Sequence, residues 1–105
     1  MSDISLQECL NTMPLIAVLR GIAPDEVLAV GETLVEAGFK IMEVTINSLE
    51  PLESIRLLAD AYGSQALVGA GTVLNAEIAI EVANAGGRLI VMPHADTSVI
   101  RAGKT

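Results

Sequence analysis

The sequence predicts an α/β fold built from successive parallel β/α units, and three observations support this prediction. First, a unit of buried strand, loop, helix and glycine recurs at about 22 to 27 residues, which is the period of such an array. Second, the chain is 51% hydrophobic but only 2% aromatic, so its core consists of the aliphatic residues that fill helix-covered parallel sheets. Third, proline and acidic residues begin the helical segments, and glycines end them.

The predicted elements follow one another without a linker. A short amphipathic helix over residues 2–12 covers one end of the fold, with Cys9 as a small buried hydrophobic residue. The apolar run 14–19 is long enough for a strand that is buried on both faces. Further strands are predicted over residues 41–46, 66–69 and 88–92, and helices over residues 24–37, 48–62 and 75–85. A last helix, capped by Asp96, Thr97 or Ser98, reaches Thr105 before its second turn.

Charge and hydropathy exclude several classes of function. The net charge is −7, and the basic residues are scattered, which argues against a surface for nucleic acid or anionic membrane. No apolar stretch approaches the roughly 20 residues that a membrane helix needs. The first ten residues carry acidic groups where a signal peptide needs basic ones. We therefore expect a cytoplasmic enzyme or domain.

Four segments of the chain carry polar groups at the carboxyl ends of predicted strands. They are Arg20, residues 43–47, residues 69–72 and Pro93 with His94. Parallel strands with helical crossovers form either an open doubly wound sheet or a (β/α)₈ barrel, and functional groups lie at this rim in both. A barrel of this repeat length needs roughly 200 residues or more. The chain corresponds to about half of one.

Glu43 is the most conspicuous residue of the rim, because it interrupts a strand that is otherwise apolar. A buried carboxylate is costly unless it is paired, hydrogen-bonded or used in chemistry. One interpretation is a general acid/base whose pKa is raised by apolar neighbours and lowered by Arg20. The alternative is a structural ion pair between Glu43 and Arg20. Arg20 itself is suited to bidentate binding of a carboxylate or phosphate, and its structural alternative is an ion pair with Glu43 or with a loop acid.

The remaining rim residues permit both functional and structural interpretations. Asn47 and Ser48 either hydrogen-bond a substrate or cap the following helix, and we expect Ser48 to be a cap. The turn from Gly69 through Gly71 to Thr72 lets a ligand approach the backbone, although glycines also allow a tight turn. His94 is the only histidine, and no second histidine or nearby cysteine accompanies it, so no metal site is expected.

The segments PLIAVLRG (14–21), MEVTINS (42–48), LVGAGTVLN (67–75) and VMPHADTSVIR (91–101) together resemble the first half of the KDPG/KHG aldolase family. The resemblance covers nearly the whole chain after about residue 12, in the family's order and spacing. The pair Asn47–Ser48 stands where the phosphogluconate branch tends to have Arg-Thr. The chain is therefore more similar to the branch that cleaves 2-dehydro-3-deoxy-6-phosphogalactonate.

The resemblance implies a TIM barrel of which residues 1–105 form the N-terminal half, β1 to β4, with the last unit incomplete. It implies a class I aldolase, a lyase of carbohydrate and galactonate catabolism, that forms a Schiff base and releases pyruvate and glyceraldehyde 3-phosphate without a metal or organic cofactor. Glu43 is then the general acid/base and Arg20 binds the substrate. Thr72, Gly69 and Gly71 contact the pyruvate carboxylate, and Asn47 lies in the substrate site.

One departure from the family pattern limits what these residues can do. The family's Schiff-base lysine stands in an F/L-K-x-F-P type motif on strand six, and the chain has only Lys40 and Lys104, neither in such a motif. We therefore expect a chain truncated before that lysine and inactive alone. Its partners are a 2-keto-3-deoxy sugar-acid phosphate, pyruvate, and either further copies, a trimer in the family, or a complementary C-terminal half.

Two rival functions remain at this point. The first is a non-catalytic half barrel that binds a sugar phosphate or keto acid, or that serves as an assembly module. The second is a small doubly wound domain that holds phosphate on the turn of residues 69–72, although this turn has no GxGxxG or Walker pattern. A half barrel leaves sheet edges and an apolar face unpaired, so we expect association or poor solubility.

Overall fold

The computed structural model describes residues 5–92 and 97–103. Helices and strands alternate along the chain, as the sequence predicts. Their bounds are α1 Leu6–Thr12, β1 Ala17–Leu19, α2 Pro24–Glu36, β2 Ile41–Thr45, α3 Pro51–Tyr62, β3 Leu67–Gly71, α4 Ala76–Asn84 and α5 Thr97–Gly103.

The sheet is parallel throughout, in the order β1-β2-β3. Glu43 stands at its centre, opposite Val18 on β1 and Gly69 on β3. The predicted strand over residues 88–92 is only partly confirmed. Its backbone hydrogen-bonds to β3, as in the 2.9 Å bond from Ala70 N to Leu89 O, but a single bridge to Ile90 takes the place of a regular ladder. Within the described residues this segment is held from one side only.

The core lies mainly between the sheet and its helices. Met42 and Val44 of β2 face this layer with Ile55 and Leu58 of α3, all of them 0% exposed. Successive side chains of a strand point to opposite faces, so Ile41, Glu43 and Thr45 share the other face. We call this the inner face. The alternation therefore places the one carboxylate of β2 away from the helix layer.

Helix α1 closes the lower end of the inner face. Cys9 is 2% exposed and packs with Ile41 and Leu67, the first residues of β2 and β3. Burial raises the pKa of the Cys9 thiol, which keeps it protonated and inert. The predictions of a lead-in helix covering one end and of a buried cysteine are confirmed. The helix begins at Leu6, where Ser5 caps it by accepting from the Glu8 amide at 3.1 Å.

The local signals for the other helices are largely confirmed. Helix α2 begins at Pro24, with two acids in its first turn, and the chain leaves it through Gly38 at φ +98°. Asn75 caps α4 by accepting from the Ile78 amide at 2.9 Å. Helix α5 spans seven residues, just under two turns, and its Val99 is fully buried within the core.

The first strand differs from the prediction. It spans Ala17–Leu19 rather than residues 14–19, and it is not buried on both faces. Leu15, Ile16 and Val18 are 55%, 42% and 52% exposed. The reason is positional: β1 is an edge strand, and nothing among the described residues covers its inner face. Strands β2 and β3, in contrast, are buried at every residue.

Candidate active site

The carboxylate of Glu43 reaches the carboxyl-end rim although its backbone lies in the middle of β2. The backbone pairs with Gly69, yet Oε1 lies 2.5 Å from the position that a Cβ on Gly71 would occupy. Gly71 is the last residue of β3, two residues nearer the rim than Gly69. The missing side chain at Gly71 therefore makes the space in which the carboxylate rests.

The environment of Glu43 favours its protonated form. The residue is 6% exposed on the inner face, and none of the hydrogen bonds or ion pairs of the described residues involves its carboxylate. Burial raises the pKa of Glu43, and the positive charge of Arg20 partly offsets this rise. A carboxyl group that holds its proton closer to neutral pH is what general acid/base catalysis requires.

Arg20 follows β1 directly and its side chain is exposed. The predicted alternative of a structural ion pair is wrong, since within the described residues its guanidinium does not come within the 4.0 Å of a carboxylate oxygen that defines a salt bridge. Its charge nevertheless lowers the pKa of Glu43. Arg20 is thus close enough to act on Glu43 and remains available to an anionic ligand.

The prediction that Ser48 caps the next helix is also wrong. Helix α3 has Glu50 at its N-cap, in the left-handed region at φ +43°, without a side-chain capping bond. Ser48 instead accepts a 2.9 Å hydrogen bond from the Gly21 amide, in the loop after β1. The hydroxyl of Ser48 reaches this partner because β1 and β2 are parallel neighbours, so the loops that follow them lie side by side at the rim.

The other predicted rim residues fall into two groups. Asn47 is exposed, two residues beyond β2, and Thr72 is half-buried directly after β3. Thr72 adopts φ +58°, which is unusual for a β-branched residue and is typical of functional sites that store strain. Gly69 has a packing reason of its own, because a Cβ there would meet the Leu89 carbonyl. Pro93, His94 and Lys104 lie outside the described residues.

Sequence reasoning missed Thr45, which is fully buried two residues beyond Glu43, on the same face of β2. Its Oγ1 lies 2.9 Å from the Ser48 Oγ. The available signal was the alternation itself, since residues 43 and 45 share a face of the strand.

The described residues contain no group of three or more histidine, cysteine or acidic side chains suited to a metal ion. Four surface hollows of about 280 to 350 Å³ are lined by other residues than Glu43.

No helix in the described part of the chain combines the length and apolar character that crossing a bilayer requires.

Comparison with known proteins gives consistent results. A family model described as KDPG and KHG aldolase matches residues 6–105. The chain is 48% identical over 89 residues to 2-dehydro-3-deoxy-6-phosphogalactonate aldolase of Escherichia coli strain K12, covering 85% of this chain and 43% of that relative. The solved structure described as native KDPGal superposes with a TM-score of 0.85 at 47% identity, covering 88% of this chain and 45% of the other.

A more distant structure adds chemical information about its own protein. It is the KDPG aldolase of Legionella pneumophila with pyruvate captured as a covalent carbinolamine intermediate, at 26% identity and a TM-score of 0.82. The match covers 93% of this chain and 47% of that structure. The chain therefore spans less than half the length of each of these relatives. Because the family's structures are (β/α)₈ barrels, the fold is the first half of such a barrel.

Proposed function

Because the chain belongs to the KDPG and KHG aldolase family, we propose that it supplies the acid/base half of a class I aldolase site. The reaction is cleavage of 2-dehydro-3-deoxy-6-phosphogalactonate to pyruvate and glyceraldehyde 3-phosphate. The Schiff-base lysine comes from outside these 105 residues, since neither lysine of the sequence suits the role. Lys40 immediately precedes β2, at the opposite rim from Glu43, and Lys104 stands in no motif of the required type.

The observation that carries this proposal is the position of the Glu43 carboxylate against Gly71. It is a single carboxylate on the inner face, aimed at the rim where barrel enzymes bind their substrates. Its desolvation and the nearby charge of Arg20 act in opposite directions on its pKa. This balance suits a group that must both give and take a proton within one turnover.

The chemistry assigns a proton transfer to Glu43 at each step. The lysine amine adds to the C2 carbonyl, and Glu43 protonates the departing oxygen, so that water leaves and an iminium forms. Glu43, now a carboxylate, then removes the proton of the C4 hydroxyl while the C3–C4 bond breaks, and the iminium accepts the electron pair. Protonation of the resulting enamine at C3, followed by addition of water, releases pyruvate and the free lysine.

The substrate anion is held by the groups around Glu43. Arg20 supplies a guanidinium for the C1 carboxylate, since its side chain is exposed and unpaired among the described residues. Thr72 and the backbone at Gly71 approach the same end of the substrate. Asn47, on the loop after β2, has two donors and an acceptor for a sugar hydroxyl.

The experiment is a reconstitution. The chain is co-expressed with the part of the Escherichia coli relative that follows the matched region, which by the family resemblance carries the lysine motif. We expect pyruvate with borohydride to label the second polypeptide, and the complex to cleave the phosphorylated keto acid. Glu43→Gln should lower kcat by about 100-fold or more. The matched control is Glu77→Gln, an exposed acid in the first turn of α4, which should leave kcat unchanged. A complex with full activity in Glu43→Gln would refute the assignment.

A second candidate function is a non-catalytic module, which the exposed edge of the sheet favours. Leu15, Ile16 and Val18 form an apolar strip along the unpaired side of β1, and such edges associate. The strip fits either further copies of this chain or a complementary C-terminal half. A binding module gains no borohydride-reduced adduct on either polypeptide, whereas the aldolase does. A monodisperse monomer in light scattering would contradict both forms of association.

A further inference from the structure

The hydroxyl of Ser48 joins the two loops of the candidate site. It lies 2.9 Å from the Gly21 amide nitrogen, 2.9 Å from Thr45 Oγ1 and 3.4 Å from the Leu19 carbonyl oxygen. The directions follow from one another. The Gly21 amide donates to Ser48. When Ser48 gives its single proton to the Leu19 carbonyl, the Thr45 hydroxyl is the donor of its pair. Ser48, only 8% exposed, thus uses all of its hydrogen-bonding capacity.

The residue between the two backbone partners is Arg20. The Leu19 carbonyl belongs to the peptide group that precedes Arg20, and the Gly21 amide belongs to the peptide group that follows it. One hydroxyl, 28 positions further along the sequence, therefore holds both peptide groups of Arg20 at once. The chain then turns away through Gly21 at φ +74°, a conformation in which glycine has no steric cost.

We propose that Ser48 is a positioning residue for Arg20, fixing the direction in which the guanidinium leaves the backbone toward the inner face. The proposal rests on the proposed function in one respect, namely that Arg20 binds the substrate carboxylate. Thr45 completes the arrangement from β2, where its fully buried hydroxyl orients that of Ser48. The Arg20 side chain is exposed, so its direction depends on the two flanking peptide groups that Ser48 holds.

A purely structural role for Ser48 predicts different behaviour. If the hydroxyl only stabilised the loops, its loss would lower the free energy of unfolding and leave the electrostatics at Glu43 unaltered. If it positions Arg20, its loss lets the guanidinium move away. Arg20 is the one charged group among the described residues that acts on the pKa of Glu43. The titration of Glu43 therefore reports where Arg20 is.

The experiment uses the 105-residue protein in the assembly it forms. Amide exchange by mass spectrometry follows the segment that contains Gly21, and NMR of ¹³C-labelled glutamate follows the Glu43 carboxyl. Ser48→Ala should speed exchange at Gly21 about fivefold or more and shift the Glu43 titration upward, in the direction of Arg20→Gln. Ser48→Thr keeps the hydroxyl and should behave as the wild type. The double variant should shift the titration no further than Arg20→Gln alone.

Two results would overturn the proposal. One is a Glu43 titration that moves in Arg20→Gln but not in Ser48→Ala, and the other is a titration that Arg20→Gln does not move at all. If Ser48→Ala unfolds the chain, Ser48→Cys keeps the volume with weaker hydrogen bonds and permits the same comparison. Neither readout needs turnover. A reconstituted complex that fails to cleave the keto acid would therefore count against the proposed function and leave the positioning of Arg20 standing.

Discussion

Gly71→Ala separates the site from the fold, because the atoms nearest to the added methyl group all belong to the flexible Glu43 side chain. An ideal Cβ on Gly71 would lie 2.5 Å from Oε1 and 3.0 Å from Cδ of Glu43. The backbone of Gly71 is not in the left-handed region that favours glycine, so alanine is conformationally acceptable there. The substitution acts as a wedge that pushes the carboxylate out of its place.

The magnitude follows from the displacement. Oε1 must retreat by about 0.9 Å to reach ordinary contact at 3.4 Å. This atom is the far end of a flexible side chain, so the free energy of unfolding should fall by less than about 1 kcal/mol. A misplacement of about 1 Å costs a catalytic group roughly 100-fold in rate. We expect a well-folded protein whose reconstituted complex has a kcat lowered by about that factor.

Gly69→Ala is the matched control on the same strand. Its Cβ would overlap the Leu89 backbone carbonyl, which cannot move aside as a flexible side chain can, so the loss of stability should be about 1 to 3 kcal/mol or more. Urea denaturation measures both variants, and steady-state kinetics of the reconstituted complex measures kcat. A wild-type kcat in Gly71→Ala, or a loss of stability as large as that of Gly69→Ala, would refute the role of Gly71 as the space for the Glu43 carboxylate.

Three further predictions concern strain, burial and pH. Burial raises the folded-state pKa of Glu43 above its ordinary value, so between these two values the folded state binds more protons than the unfolded state. The free energy of unfolding should therefore fall as pH rises through that window. Urea titrations at several pH values should show this fall in the wild type and not in Glu43→Gln. Thr72→Gly and Glu50→Gly both relieve a positive φ and should each stabilise the chain by about 1 kcal/mol, but only Thr72→Gly should weaken pyruvate binding in calorimetry. Ser54→Ala should raise the free energy of unfolding by about 1 kcal/mol, because the buried Ser54 Oγ has no hydrogen-bond partner within the described structure; an unchanged urea midpoint would contradict this.

The sequence was sufficient for features that depend on neighbours along the chain. Proline and acids at the start of α2, Asn75 at the start of α4 and Gly38 after α2 each act within one helical turn, so their pattern is legible without the fold. Glu43 was also recognisable, since a charge within an apolar strand is conspicuous whatever surrounds it. Its inward direction followed from the two-residue period of a strand.

Features that depend on distant parts of the chain could not be predicted. An apolar run does not tell whether a second face is covered, and for this reason Val18 was expected to be buried although it is 52% exposed. Ser48 has the residue type of a helix cap, but its partner is the Gly21 amide, 27 positions earlier. Gly71 looked like a turn residue, whereas its missing side chain makes room for Glu43. Only the packing of β1, β2 and β3 relates these residues.

We propose above that Glu43 is the proton shuttle for a lysine that these 105 residues do not contain. Exchange of the pyruvate methyl protons in deuterated water tests it most directly, since the exchange needs only the enamine and its acid/base. With the complementary polypeptide present, we expect exchange by the wild-type chain and a loss of about 100-fold in Glu43→Gln, while borohydride still traps pyruvate on the second polypeptide. Equal exchange rates in the two proteins, with equal trapping, would contradict it.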